Sequence, residues 1–163
     1  MALDRADSSA NDKALRRAAR WVIGMQSKNG GWGSFDVDNT QYYLNHIPFA
    51  DHGALLYPPT ADVSARCLGF LAQAGYDKDH PALKAAVTYL RAEQEDDGSW
   101  FGRWGTNYVY GTWSVLSALN AIGIPPEDEA VRKPVAWLNL QQRADGGWGE
   151  DGATYWHEHK GLA

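Results

Sequence analysis

The sequence predicts an all-α fold of about five helices, with two long aromatic loops on one side. Three observations carry this. Apolar residues recur at helical spacing ahead of each of three repeated strings. Strand-like alternation is nearly absent. The repeat itself joins a helix to a turn: Gln26 is followed by Gly30 and Trp32, Gln94 by Gly98 and Trp100, and Gln142 by Gly146 and Trp148. A large aromatic stands five positions before each Gln, namely Trp21, Tyr89 and Trp137. Four matched positions in three copies mark one structural unit used three times.

The elements follow in order. A first helix is expected over about 12–27, with Leu15, Ala18, Ala19, Val22 and Ile23 on its buried stripe. A long loop runs to about 59. The second helix, near 60–75, has Thr60 as its cap and Val63, Cys67, Phe70 and Leu71 as its stripe. A third is expected near 79–94, with Leu83, Ala86, Val87 and Leu90 inside. The fourth and fifth, near 110–123 and 127–142, are separated by Pro125 and Pro126. Short connections pair the helices as in an α-solenoid or a closed α/α toroid.

Within the repeat, the Gly is expected to stop the helix, because it tolerates the left-handed conformation beyond a C-terminus. The Gln amide is expected to satisfy backbone groups left open at the helix end. The Trp is expected to be buried and to cover that amide. Gln26, Trp32, Gln94, Trp100, Gln142 and Trp148 thus form clasps between helices, with no catalytic task.

Composition narrows the function. The 163 residues suffice for one core, and the net charge is -5 without a basic cluster, which argues against nucleic acid as a partner. The lone Cys67 excludes a disulfide framework and a Cys-rich metal site. No apolar run approaches the ~20 residues of a membrane-spanning helix, which leaves attachment to one membrane face open. The two long loops, 29–59 and 98–113, are too aromatic for disorder and should line one shared face. Trp104, Trp113 and Trp156 fall outside the repeat scheme and need another reason. Asp36, Asp38 and Asn39 imitate a calcium-loop fragment without its later Gly and Glu, and are read as turn chemistry. His46 with His52 is no convincing metal pair.

The stretches 24–40, 45–49 and 98–113 closely resemble bacterial squalene–hopene cyclases, whose Gln-to-Trp repeats are known as QW motifs. The likeness runs from about Ala14 to Tyr155. It implies a metal-free and cofactor-free isomerase built from α/α barrels. Such an enzyme protonates a terminal double bond of squalene with a buried Asp and guides a cationic cascade to hopene or hopanol. The resemblance also implies a homodimer, monotopic on the cytoplasmic side of the bacterial inner membrane, with squalene entering from the bilayer. It places Asp62 and Arg66 in the acid machinery, Arg66 standing where some members carry a His. It places Phe35, Trp104 and Tyr110 in the cavity, and Phe49 and Ala50 at a channel constriction. The chemistry suits surplus aromatics, since ring faces stabilise a cation without a base that would quench it. Asp62 also fits a plain early-helix acid, Arg66 a surface charge, and Trp104 and Tyr110 ordinary core.

The family's proton donor lies in an Asp-x-Asp-Asp-Thr-Ala string, which this chain lacks. The expectation is therefore a segment of a cyclase: residues 1–11 a polar leader, 12–163 a barrel domain incomplete at both ends, inactive alone and prone to self-association. Other classes stay in view. A zinc prenyltransferase would need His and Asp ligands beside Cys67. A saccharide platform would need coplanar, exposed Trp104 and Trp113. A decayed, non-catalytic cyclase segment would keep the fold without the activity.

Overall fold

The computed structural model describes residues 2–39, 41–47 and 56–160. Among them are five α-helices and no strands. The helices are α1 (Ala2–Gly24), α2 (Ala61–Gln73), α3 (Pro81–Ala92), α4 (Tyr108–Ala121) and α5 (Glu129–Gln141). Short 3-10 helices lie at Tyr42–His46, Gly152–Tyr155 and His157–His159. Helix α1 begins at Ala2 rather than near 12, so it runs through the stretch read as a polar leader. Its first turns carry Asp, Arg and Ser without an apolar stripe, which is why periodicity did not reveal them. The Asp12–Arg16 ion pair sits one turn apart along it.

The dominant packing is α2 against α4, with α1 and α3 against α2, and α5 against α4. This makes α2 and α4 the inner pair and the three clasp-bearing helices the flanks. Leu68, Leu71, Leu83, Leu90, Val115 and Leu119 are essentially fully buried where these helices meet. Each such side chain contributes about 1.5–3 kcal/mol relative to exposure. The stripe expected on α3 holds at Leu83, Ala86 and Leu90. On α2 the expectation fails in part: Val63, Cys67 and Phe70 are half-buried, and the buried face is Ala61, Asp62, Ser64, Ala65, Leu68 and Leu71. An inner helix touched by three others hides small and polar residues that a search for bulky apolar ones passes over.

Helix starts have three chemistries. His80 Nδ1 accepts from the Ala82 N–H at 3.2 Å, with Pro81 in the first turn. Asp128 accepts from the Ala130 N–H at 2.9 Å. Thr60 makes no cap bond of its own; its hydroxyl donates to Asp62 Oδ1 instead, at 2.6 Å.

The three repeats fold alike, with the labour divided differently from the expectation. The helices end before or at the residue preceding each Gln, at Gly24, Ala92 and Gln141. The Gln amide then closes the loop by donating to the Gly carbonyl: Gln26 to Gly30 at 2.7 Å, Gln94 to Gly98 at 2.9 Å, Gln142 to Gly146 at 2.8 Å. The indole N–H takes the helix end, donating to the carbonyls of Val22 (2.6 Å), Leu90 (2.7 Å) and Leu138 (2.8 Å). Gly30, Gly98 and Gly146 have φ of 93°, 93° and 85°, turning the loop rather than stopping the helix. Helix-stopping glycines do occur, at Gly75 after α2 and Gly123 after α4.

The copies differ in what covers them. Trp32 and Trp100 are buried, 2% and 0% exposed, whereas Trp148 is 47% exposed against the expectation. The first two rest on the next repeat: Trp32 N–H donates to Ser64 Oγ at 2.8 Å and Trp100 N–H to Thr112 Oγ1 at 3.0 Å. Gln26 also reaches the Ala82 carbonyl on α3, at 2.8 Å. Nothing lies within 4 Å of a side chain placed at Gly146, while one at Gly98 would meet Lys133 Cβ at 2.6 Å.

Candidate functional site

The two long loops meet on one side, as expected. Phe35, Tyr57 and Trp104 form a three-ring corner. Tyr57 stacks on Trp104 at 5.5 Å and 23°, and Phe35 stands edge-on to Tyr57 at 5.0 Å and to Trp104 at 6.1 Å. Phe35 is 61% exposed and Trp104 47% exposed, so the corner presents open ring faces. The Arg103 guanidinium lies 5.0 Å from the centre of the Tyr57 ring.

Below this corner sits Asp62, fully buried in the first turn of α2. Its Oδ1 accepts from Thr60 Oγ1 at 2.6 Å and from the Val63 N–H at 3.0 Å. Its Oδ2 accepts from the Trp104 N–H at 2.8 Å. A buried carboxylate needs such donors, because leaving it unsatisfied costs several kcal/mol. The bond to Trp104 ties the second aromatic loop to α2.

Arg66 lies one turn further along α2, but its environment differs. It is exposed, with its guanidinium 5.0 Å from the Trp113 ring centre and 5.8 Å from that of Tyr110. The structure thus joins Arg66 with Tyr110 and Trp113, and Asp62 with Trp104, as two neighbouring groups. Tyr110 and Trp113 are 6.5 Å apart and tilted by 39°. A mainly apolar groove of about 150 Å³ opens beside Arg66 and Trp113, floored by Ala65, Gly69 and Ala118. Trp104 and Trp113 belong to separate ring groups, so they do not make the shared flat platform a saccharide would need. Phe49, Ala50 and His52 lie outside the described residues.

A third loop completes the side. Glu150 Oε2 accepts from the N–H groups of Asn107 (2.7 Å) and Val109 (2.6 Å), placing a carboxylate on the α4 N-terminus. Asn107, fully buried, accepts from the Gly102 N–H at 3.2 Å and donates to the Thr154 carbonyl at 3.1 Å. Tyr155 Oη donates to the Gly105 carbonyl at 2.8 Å. Burial pushes the Tyr155 hydroxyl up, and the charges of Asp62 and Glu150 add to the shift.

Sequence reasoning missed Tyr57 and Glu150. Tyr57 stands in the long loop 29–59 with no pattern to single it out. Glu150 had one available signal: two residues after the repeat Trp, the other copies carry Ser34 and Gly102.

Cys67, the thiol that a zinc reading would use, is free and pushed up to about 12 by burial. Its neutral form is a poor metal ligand and a poor nucleophile. Asp36, Asp38 and Asn39 do make a turn: Asn39 donates to Asp36 at 2.9 Å, the Lys28 N–H to Asp38 at 2.8 Å, and Asp38 has φ 54°. No helix among the described residues is long and apolar enough to cross a membrane.

Comparison with known proteins agrees with this architecture. The chain is 56% identical to the squalene–hopene cyclase of Zymomonas mobilis over 99% of its own length, which is 25% of that protein. It is 63% identical to the squalene-hopene cyclase of Schizosaccharomyces japonicus over 76% of this chain and 19% of the relative. It is 38% identical to the dammaradiene synthase of Dryopteris crassirhizoma over 87% of this chain and 23% of the relative. The chain therefore spans about a quarter of the length of the relatives it matches. The family model described as the squalene-hopene cyclase C-terminal domain matches residues 1–162, and the chain belongs to that family.

Proposed function

We propose that this chain is part of a squalene–hopene cyclase, an isomerase that closes squalene into hopene or hopanol in hopanoid synthesis. The observation that carries the reading is the half-exposed ring corner of Phe35, Tyr57 and Trp104 seated on the buried Asp62. Ring faces offer negative potential to a carbocation without a lone pair that would capture it. Phe35, Trp104 and Tyr110 would line the cavity, and Phe49 with Ala50 would narrow the substrate's entry.

Asp62 supports the acid that protonates the terminal double bond. Arg66 adds a fixed positive charge near that acid, which favours proton release. The proton donor itself comes from outside these residues. In the intact enzyme a homodimer resting on the cytoplasmic face of the bacterial inner membrane would draw squalene from the bilayer. The exposed apolar side chains of this chain are compatible with that setting.

The test uses the intact protein that carries this segment. Squalene is supplied in detergent and products are separated by gas chromatography. Asp62→Asn is expected to lower turnover by ~10²-fold or more, the scale of a lost acid–base function, with a near-unchanged helical spectrum. Wild-type turnover in that variant removes Asp62 from the acid machinery. The 163-residue chain alone is expected to release no hopene.

A further inference from the structure

We propose that Tyr57 is a positioning residue for Trp104, setting the tilt of the indole presented to a cationic substrate. The inference rests on the cyclase reading and adds a residue to it. The main chain at Trp104 is well fixed: its N–H binds Asp62, and the next carbonyl, of Gly105, accepts from Tyr155. Those bonds leave the two side-chain torsions of the indole undetermined. The near-parallel stack at 5.5 Å is the contact with the geometry to select among them. Phe35, edge-on at 83°, limits the sideways swing.

Tyr57 is itself a rigid support. Leu56 before it is 2% exposed, and Pro58 and Pro59 after it restrict the backbone. The Thr60 N–H then binds the Trp32 carbonyl at 3.2 Å, which anchors this strut to the first clasp. Arg103 lies over the Tyr57 ring at 5.0 Å and holds it from the second loop. Tyr57 thus transmits the position of the first repeat to the ring that faces the substrate. A ring turned by a few tenths of an ångström to an ångström misplaces its negative face relative to each successive cation, and such errors are worth up to ~10²-fold in rate.

The experiment compares Tyr57→Ala, Tyr57→Leu and Tyr57→Phe in the intact protein with squalene as substrate. Tyr57→Phe keeps the ring and is expected to retain the product ratio. Tyr57→Ala and Tyr57→Leu are expected to lower turnover ~10-fold or more and to raise the fraction of incompletely cyclised products. Leu keeps bulk, so it separates loss of the ring from collapse of the loop. An independent arm reads near-ultraviolet circular dichroism without substrate. Tyr57→Ala and Trp104→Ala should remove overlapping signal, so the double variant falls short of the sum of the two. A wild-type protein that turns over no squalene overturns the cyclase reading. Additive dichroism changes overturn the ring coupling whatever the substrate. Normal products from Tyr57→Leu, with wild-type turnover established, overturn the positioning role.

Discussion

Asp62 binds three donors with two oxygens, and they come from three places: its own helix, the strut before it and the second aromatic loop. A residue expected as an isolated acid is therefore also the peg on which Trp104 hangs. Spacing could reveal an early-helix acid at this position, but not its partner forty-two residues on, because nothing local announces that contact. The repeat Trps show the same limit. Their pattern is legible, yet exposure ranges from 0% at Trp100 to 47% at Trp148, set by neighbours that the motif does not contain. Trp100→Ala is expected to destabilise the fold by about 3–5 kcal/mol, as for other buried aromatics. Trp148→Ala is expected to cost about 1 kcal/mol, near the worth of its one hydrogen bond. Denaturant melts of the two variants check the contrast; equal losses would contradict it.

Helices α3 and α5 are linked by polar chemistry at their edges. Arg91 Nη2 donates to Asp128 Oδ2 at 2.6 Å, and Asp128 also caps α5 through the Ala130 N–H. The bond from Arg91, helped by that backbone donor, holds the Asp128 carboxyl below its usual range. A carboxylate depressed in the fold stabilises it above the ordinary value near ~4, and that contribution fades as pH falls through the folded value. Asp128→Asn should therefore lower stability by under about 1 kcal/mol at neutral pH, given the partial exposure of both partners. The gap between wild type and variant should close as pH falls through the folded value of Asp128; a gap that widens in acid would reject the tie. The helices themselves were legible because α3 carries a clean apolar period. The first half of α1 was not, since its polar composition has no period to follow, and helix formation there needs only an absence of breakers.

Across the whole molecule, two clasps are filled and one is open. Gly30 and Gly98 abut the following flanking helix, whereas Gly146 faces space, and Leu140 on α5 is 82% exposed. Trp21, Trp148 and Trp156 add 66%, 47% and 67% exposed aromatics. The isolated chain is expected to self-associate or to require detergent, since apolar area of this kind seeks cover. Light scattering showing a detergent-free monomer would count against this. The fold class, the repeat and the meeting of the two loops were readable from periodicity and composition. The third loop's role was not, because Glu150 and Asn107 act through backbone groups that no side-chain pattern encodes. The clasp also has a kinetic consequence. Its defining bonds close over only four and ten residues, while the ties from Trp32 to Ser64 and from Asp62 to Trp104 span thirty-two and forty-two. Short loops close in tens of nanoseconds and with little entropy loss, so each clasp can form while the inner pair is still searching. Trp148→Ala, which removes clasp contacts alone, is then expected to slow folding, whereas most of the Trp100→Ala loss comes from neighbours that dock later and is expected as faster unfolding.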